Sequence, residues 1–112
     1  MACSLSPEIR EEIVSGLLGI FKDNVDRIIL YGSVARGDDT PDSDVDVAVI
    51  VKDKIDSETW KRFIKWNSDL CLEHDKLFSI LDIDKSRYDD YKDILFFYRN
   101  IQREGIVLWK AA

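Results

Sequence analysis

Leu30-Tyr31-Gly32-Ser33-Val34-Ala35-Arg36-Gly37, then Asp38-Asp39-Thr40-Pro41-Asp42, then Ser43-Asp44-Val45-Asp46-Val47: here an apolar run breaks into a glycine-serine turn, crosses an aspartate-rich loop and enters a second apolar run. Arg27 to Tyr31 is short, apolar and β-branched and reads as a buried strand; Val45 to Val51 reads as another. Residues 37–44 are dense in turn formers and cannot be regular structure. Side chains two apart on a strand share a face, so Asp44 and Asp46 project together while Val45 and Val47 point into the core. Two ionised carboxylates side by side repel, and a divalent cation relieves that repulsion best. Their hard oxygens suit Mg²⁺ or Mn²⁺. An EF-hand loop does not account for them, because its central Gly and its Glu at the twelfth position have no counterparts after Asp42 or Asp44.

Gly32 and Ser33 follow a strand and should begin a short helix. Glycine lets a backbone approach a phosphate, the free amides at a helix start point at it, and the Ser33 hydroxyl adds a donor. Arg36 can either reach a phosphate in forked geometry or brace the loop by pairing with an aspartate. Gly37 permits the turn into the loop. Six positions (Gly32, Ser33, Gly37, Ser43, Asp44, Asp46), each matched by chance about one time in fifteen, coincide with a probability on the order of 10⁻⁷ per starting point.

Outward from this segment the pattern alternates. Ser6-Pro7 is a helix start, and Ile9, Ile13, Val14, Leu17, Leu18 and Phe21 recur at helical spacing, predicting a helix over 7–23. Gly16 and Gly19 in it invite close approach by a neighbour. Asp56 to Glu73 is helical, with Asp56 or Ser57 as cap, Trp60, Phe63, Ile64, Asn67, Leu70 and Cys71 on one side, and Trp66 off that stripe, free to face a partner. Leu77 to Ile83 is a third strand. A helical region over about 85–104 breaks near Lys92-Asp93, turns Ile94, Phe97, Tyr98 and Ile101 inward, and ends at Gly105 in a left-handed conformation. Ile106 to Trp109 is a last strand or a packed tail. The expected fold class is α/β (α+β), a small mixed β-sheet with helices packed on it, one domain over residues 1–112.

Composition narrows the function. Sixteen Lys and Arg against 22 Asp and Glu give a formal charge of −6, which disfavours general nucleic-acid binding and suits a site that gathers divalent cations. Cys3 and Cys71 make no metal-ligand spacing and read as reduced thiols of a cytoplasmic protein. No apolar run approaches 18 residues, so no membrane association is expected. Asp38, Asp39 and Asp42 read as solvated turn residues, and His74 as a helix-end residue rather than a catalyst. The aromatics Tyr88, Tyr91, Phe96, Phe97 and Tyr98 read as core, and any exposed share of them would mark a protein interface.

At Gly32-Ser33 and Asp44-Val45-Asp46 the sequence resembles the nucleotidyltransferase superfamily related to DNA polymerase β, whose hallmark is Gly-Ser followed at a distance by Asp-x-Asp. Its shortness and its Gly-Ser-x-Ala-Arg-Gly…Ser-Asp-x-Asp form are similar to the minimal nucleotidyltransferases, over a core of about 26–84. The resemblance implies metal-dependent transfer of a nucleotidyl group, AMP from ATP above all, to a hydroxyl acceptor. It implies Asp44 and Asp46 as catalytic metal ligands and Gly32, Ser33, Arg36 and Ser43 as nucleotide binders. Some members are antitoxins that modify a small helical partner, so such a partner, or a homodimer, is implied as well. The family's third catalytic carboxylate falls at Ser79; Asp82, three residues on, is the candidate acid, brought in by a bulge or a shifted register. Without a third acid the alternative is a degenerate module that acts by binding, as an antitoxin component.

Overall fold

The computed structural model describes residues 5–112. Its elements are α1 (Pro7–Phe21), a 3₁₀ turn (Lys22–Asn24), β1 (Val25–Tyr31), α2 (Gly32–Arg36), β2 (Val45–Val51), α3 (Ser57–His74), β3 (Phe78–Asp84), α4 (Lys85–Tyr91), α5 (Phe96–Glu104) and β4 (Ile106–Lys110). Cys3 lies outside the described residues. Ser6 caps α1, its hydroxyl accepting from the Ile9 amide at 3.2 Å, and Asp56 caps α3 through the Thr59 amide at 2.8 Å. The first helix stops at Phe21, earlier than its apolar periodicity implies, because Lys22 turns to φ 54° and starts the 3₁₀ turn.

The sheet has the order β3-β2-β1-β4, with β2 parallel to β3 and β1 antiparallel to both β2 and β4. The last segment is therefore a strand, an edge paired to β1. The parallel pair is joined by α3, the length of connection such a crossover needs. One face of the sheet buries Ile28, Leu30, Val45, Val47, Val49, Phe78 and Ile80 under α1 and α3, which contribute Ile13, Leu17, Phe63 and Leu70. The other face buries Ile29, Ala48, Ile50 and Ile83 under Tyr88 of α4 and Ile101 of α5. β2 is thus covered on both faces, which is why, Asp46 apart, it reads as an apolar run.

Several side chains sit otherwise than their periodicity implies. Trp66 does not face a partner; its indole packs onto α1 at Gly16, where an added Cβ would stand 2.5 Å from the ring. A Cβ added at Gly19 would meet nothing within 4 Å, so of the two glycines it is Gly16 that makes room for a neighbour's side chain. Trp60 and Ile64 are exposed on the outer side of α3. Gly105 is extended (φ −69°, ψ 145°), not left-handed; a side chain there would run into the Ile101 carbonyl and the Ile29 methyl, so what it provides is room. Ile94 and Phe97, expected inward, are 69% and 45% exposed, since α5 restarts only at Phe96 and its single buried residue is Ile101. Among the described residues no helix is long and apolar enough to cross a membrane.

Gly16 carries a measurable prediction. Gly16→Ala should lower stability by about 1 kcal/mol in thermal or urea denaturation, overpacking of about 2 kcal/mol against Trp66 outweighing the roughly 1 kcal/mol that alanine gains over glycine in a helix. A stabilised variant would mean the two helices separate without cost.

Candidate active site

β1 and β2 run antiparallel and pair Tyr31 with Asp46; β2 and β3 run parallel and pair Asp46 with Ser79. Directly paired residues share a face, so Tyr31, Asp46 and Ser79 form a row across three strands at one end of the sheet. This row lies on the face that carries α4 and α5, beyond Ala48 and Ile29. Asp44 stands just before β2, exposed at the end of the loop, near enough that its charge acts on Asp46.

Gly32 opens α2 directly after β1 with φ +78°, a conformation L side chains rarely adopt. A Cβ at Gly32 would collide with Oδ2 of Asp46, so the glycine backbone and the carboxylate form one cradle. Gly37 closes the short helix at φ 81°, donating its amide to the Ser33 carbonyl at 3.0 Å; the Asp38 amide bonds the same carbonyl at 3.1 Å. The loop is then tied by Ser43, whose Oγ accepts from the Thr40 amide at 2.9 Å while its own amide donates to the Thr40 carbonyl at 3.0 Å. In this structure Ser43 shapes the loop that delivers Asp44.

Burial first, and the neighbouring Asp44 charge second, hold the Asp46 carboxyl above the usual carboxylate range, with Arg36 opposing. The Tyr31 hydroxyl is pushed up to about 12 by burial and by Asp46, so it stays protonated at every physiological pH. Its ring meets Phe97 edge-on at 5.8 Å. Arg36 braces: Nε donates to Asp38 at 3.3 Å and Nη1 to Glu104 of α5 at 3.4 Å, both exposed pairs that a phosphate can outcompete.

Asp82 does not join this group. The β2–β3 ladder runs without a bulge from Val45 opposite Phe78 to Val51 opposite Asp84, which sets Asp82 beside Val49 on the α1–α3 face. There it lines a separate cleft with Trp60 and Arg87 at the other end of the strands. The residue of β3 across from Asp46 is Ser79.

One charged cluster had no signal in the sequence. His74 ends α3 and meets Glu12 of α1, 62 residues away, at 2.8 Å, with Glu73 at 3.9 Å. This bond holds Glu12 below its usual range. It ties two helices on the face away from Asp46, consistent with a packing role for the histidine.

A glycine at positive φ set against Asp46, with Asp44 just before the same strand, on a small mixed sheet between helices, is the arrangement of the nucleotidyltransferase fold. The chain belongs to that family: residues 17–111 match the model described as polymerase beta, nucleotidyltransferase. Two similar proteins come from Methanocaldococcus jannaschii. "Putative protein adenylyltransferase MJ0141" is 42% identical over 72 residues, 64% of this chain and 73% of that protein. "Putative protein adenylyltransferase MJ0604" is 28% identical over 99 residues, 88% and 93% respectively. A solved structure described as a toxin-antitoxin with AMP-PNP superposes over 91% of this chain and 73% of its own, with TM-score 0.61 and 21% identity, a likeness of fold.

Proposed function

We propose that the chain transfers a nucleotidyl group, AMP from ATP, to a hydroxyl on a partner protein. The observation that carries this is the Gly32–Asp46 cradle with Asp44 beside it. The donor set fits a hard divalent cation such as Mg²⁺ or Mn²⁺: two carboxylates, one of them strained by the other's charge, and a backbone kept bare of side chain where a phosphate would lie. Asp44 and Asp46 would hold the cation, and Gly32, Ser33 and Arg36 the triphosphate. A cation bound there would neutralise phosphate charge and make the acceptor hydroxyl more acidic.

In the reaction the acceptor oxygen bonds to the α-phosphorus, the bond from that phosphorus to the α–β bridging oxygen breaks, and pyrophosphate leaves. The hydroxyl proton passes to Asp46 or to solvent, there being no third carboxylate in the row. Arg36 exchanges its exposed carboxylate partners for phosphate oxygens, and the cradle holds the triphosphate in line with the incoming oxygen.

A protein acceptor is supported by the surface next to the site. Tyr91, Ile94, Leu95, Phe96 and Phe97 are all exposed around the α4–α5 turn, Phe96 at 75%, and Phe97 connects this patch to Tyr31. Contiguous apolar surface of that kind is a mark of protein association. The names of the two archaeal relatives point the same way, and a small helical partner of the kind the sequence resemblance implies would serve as the acceptor. Ser79 favours a second reading, a weak or inactive relative that acts as an antitoxin component by association alone.

Labelled ATP separates the two readings. With [α-³²P]ATP and Mg²⁺, the purified chain should label a protein in lysate of its source, and chelator should abolish the label. Absence of label with every nucleoside triphosphate, alongside retained partner binding by Asp44→Asn, would leave association as the function.

A further inference from the structure

Among the described residues, three metal-ligating side chains converge at one point between two helices: Glu12 of α1 with Glu73 and His74 at the end of α3. Their ligand atoms all lie within 4.8 Å of one another. His74 Nε2 stands 2.8 Å from a Glu12 oxygen and 3.9 Å from a Glu73 oxygen. Phe78 of β3 backs the imidazole edge-on at 5.8 Å. Glu12 and His74 are 62 residues apart, so the α1–α3 packing, which also seats Trp66 on Gly16, brings them together. The charges acting on Glu12 and Glu73 are each other's and that of His74; no lysine or arginine of the described residues is among them. A proton on the imidazole ties one carboxylate and leaves a second beside it. A divalent cation takes all three groups at once.

We propose that Glu12, Glu73 and His74 hold a borderline-soft divalent metal ion, Zn²⁺ above all, which staples α1 to α3. Bond lengths of about 2.0–2.1 Å set the ligand atoms of a tetrahedral site roughly 3.3 Å apart. Reaching that spacing takes an opening of about 0.5 Å between His74 and Glu12 and an inward swing of the exposed Glu73 side chain. Water fills the fourth position. The imidazole nitrogen sets the class of metal: it suits Zn²⁺ and disfavours Mg²⁺, which takes oxygen ligands. The site thus differs in chemistry from the Asp44–Asp46 pair and lies across the sheet from it, under the other layer of helices.

The test uses the full chain carrying Asp44→Asn and Asp46→Asn, so that the aspartate pair takes no part, with Zn²⁺ or Mg²⁺ added at neutral pH. Zn²⁺ in tenfold excess over its dissociation constant should raise the melting temperature by about 5 °C, and Mg²⁺ should not. Glu73→Gln, a change at an exposed side chain, should weaken Zn²⁺ binding by about tenfold or more. His74→Gln, which can still hydrogen-bond Glu12, should abolish the shift. Co²⁺ in place of Zn²⁺ should show the visible absorption of a four-coordinate site without thiolate charge-transfer bands. No Zn²⁺ shift in this background overturns the proposal, as does a shift that survives either substitution undiminished. A cobalt spectrum with thiolate ligation overturns it too, by placing the ion on Cys3 or Cys71. The Glu73→Gln comparison stands by itself if His74→Gln does not fold.

Discussion

Asp46→Asn should reduce nucleotidyl transfer by about 10³-fold or more, roughly 4 kcal/mol of lost transition-state stabilisation, while leaving the folded chain at least as stable as the parent. The activity loss follows from position: Asp46 is the carboxylate in the central strand, shared between the Gly32 cradle and the row with Tyr31 and Ser79. The stability result follows from sign. Burial and the Asp44 charge hold its carboxyl above the usual range, so the folded chain binds that proton more tightly than the unfolded chain does. Its contribution to folding is therefore fully present below the unfolded carboxylate pKa and is lost as pH rises through the raised folded value. Asparagine is neutral throughout. Thermal denaturation should show no advantage for the variant in acid and an equal or higher melting temperature near neutrality. A variant that melts lower than the parent at neutral pH would mean the carboxylate is a structural tie, not a strained ligand.

Gly32→Ala should cost both stability and function. Any L side chain at φ +78° pays about 1–2 kcal/mol for the left-handed conformation alone, and here the new methyl also meets Asp46 Oδ2. Either the carboxylate swings away or β1 and α2 separate. A destabilisation of about 2 kcal/mol or more in urea, with ATP binding lost in the calorimeter, is the expected pair of results. Intact ATP affinity would show that the glycine serves the turn only and that no phosphate lies against it.

The central part of the fold is legible because the sequence states it twice. Arg27 to Tyr31 and Val45 to Val51 are apolar runs with turn chemistry between them, and the aspartate inside the second run stands where an unpaired charge is costly. Ser6, and Asp56 of the two caps the second helix offered, mark helix starts that the apolar periodicity then continues. The errors have a common origin in what periodicity omits. Trp66 looks spare by helical angle, yet Gly16, fifty residues earlier, has made space for it. Ile94 and Phe97 look like core by composition, but the helix they would need breaks before them. Asp82 illustrates the remaining limit. Odd spacing already set it against Asp46, and only the pairing register, a property of two strands together, excludes the bulge that would have brought it round.

The two aspartates differ in mobility as well as address. Asp46 belongs to a strand hydrogen-bonded on both sides and covered on both faces, whereas Asp44 is exposed at the mouth of an eight-residue turn that Ser43 fastens. In hydrogen exchange the amide at 46 should therefore be among the last to open, at the cost of global unfolding, and the amide at 44 among the first. One carboxylate is thus placed by the sheet and the other by the loop, so the distance between them is set by how the Ser43–Thr40 tie holds the turn.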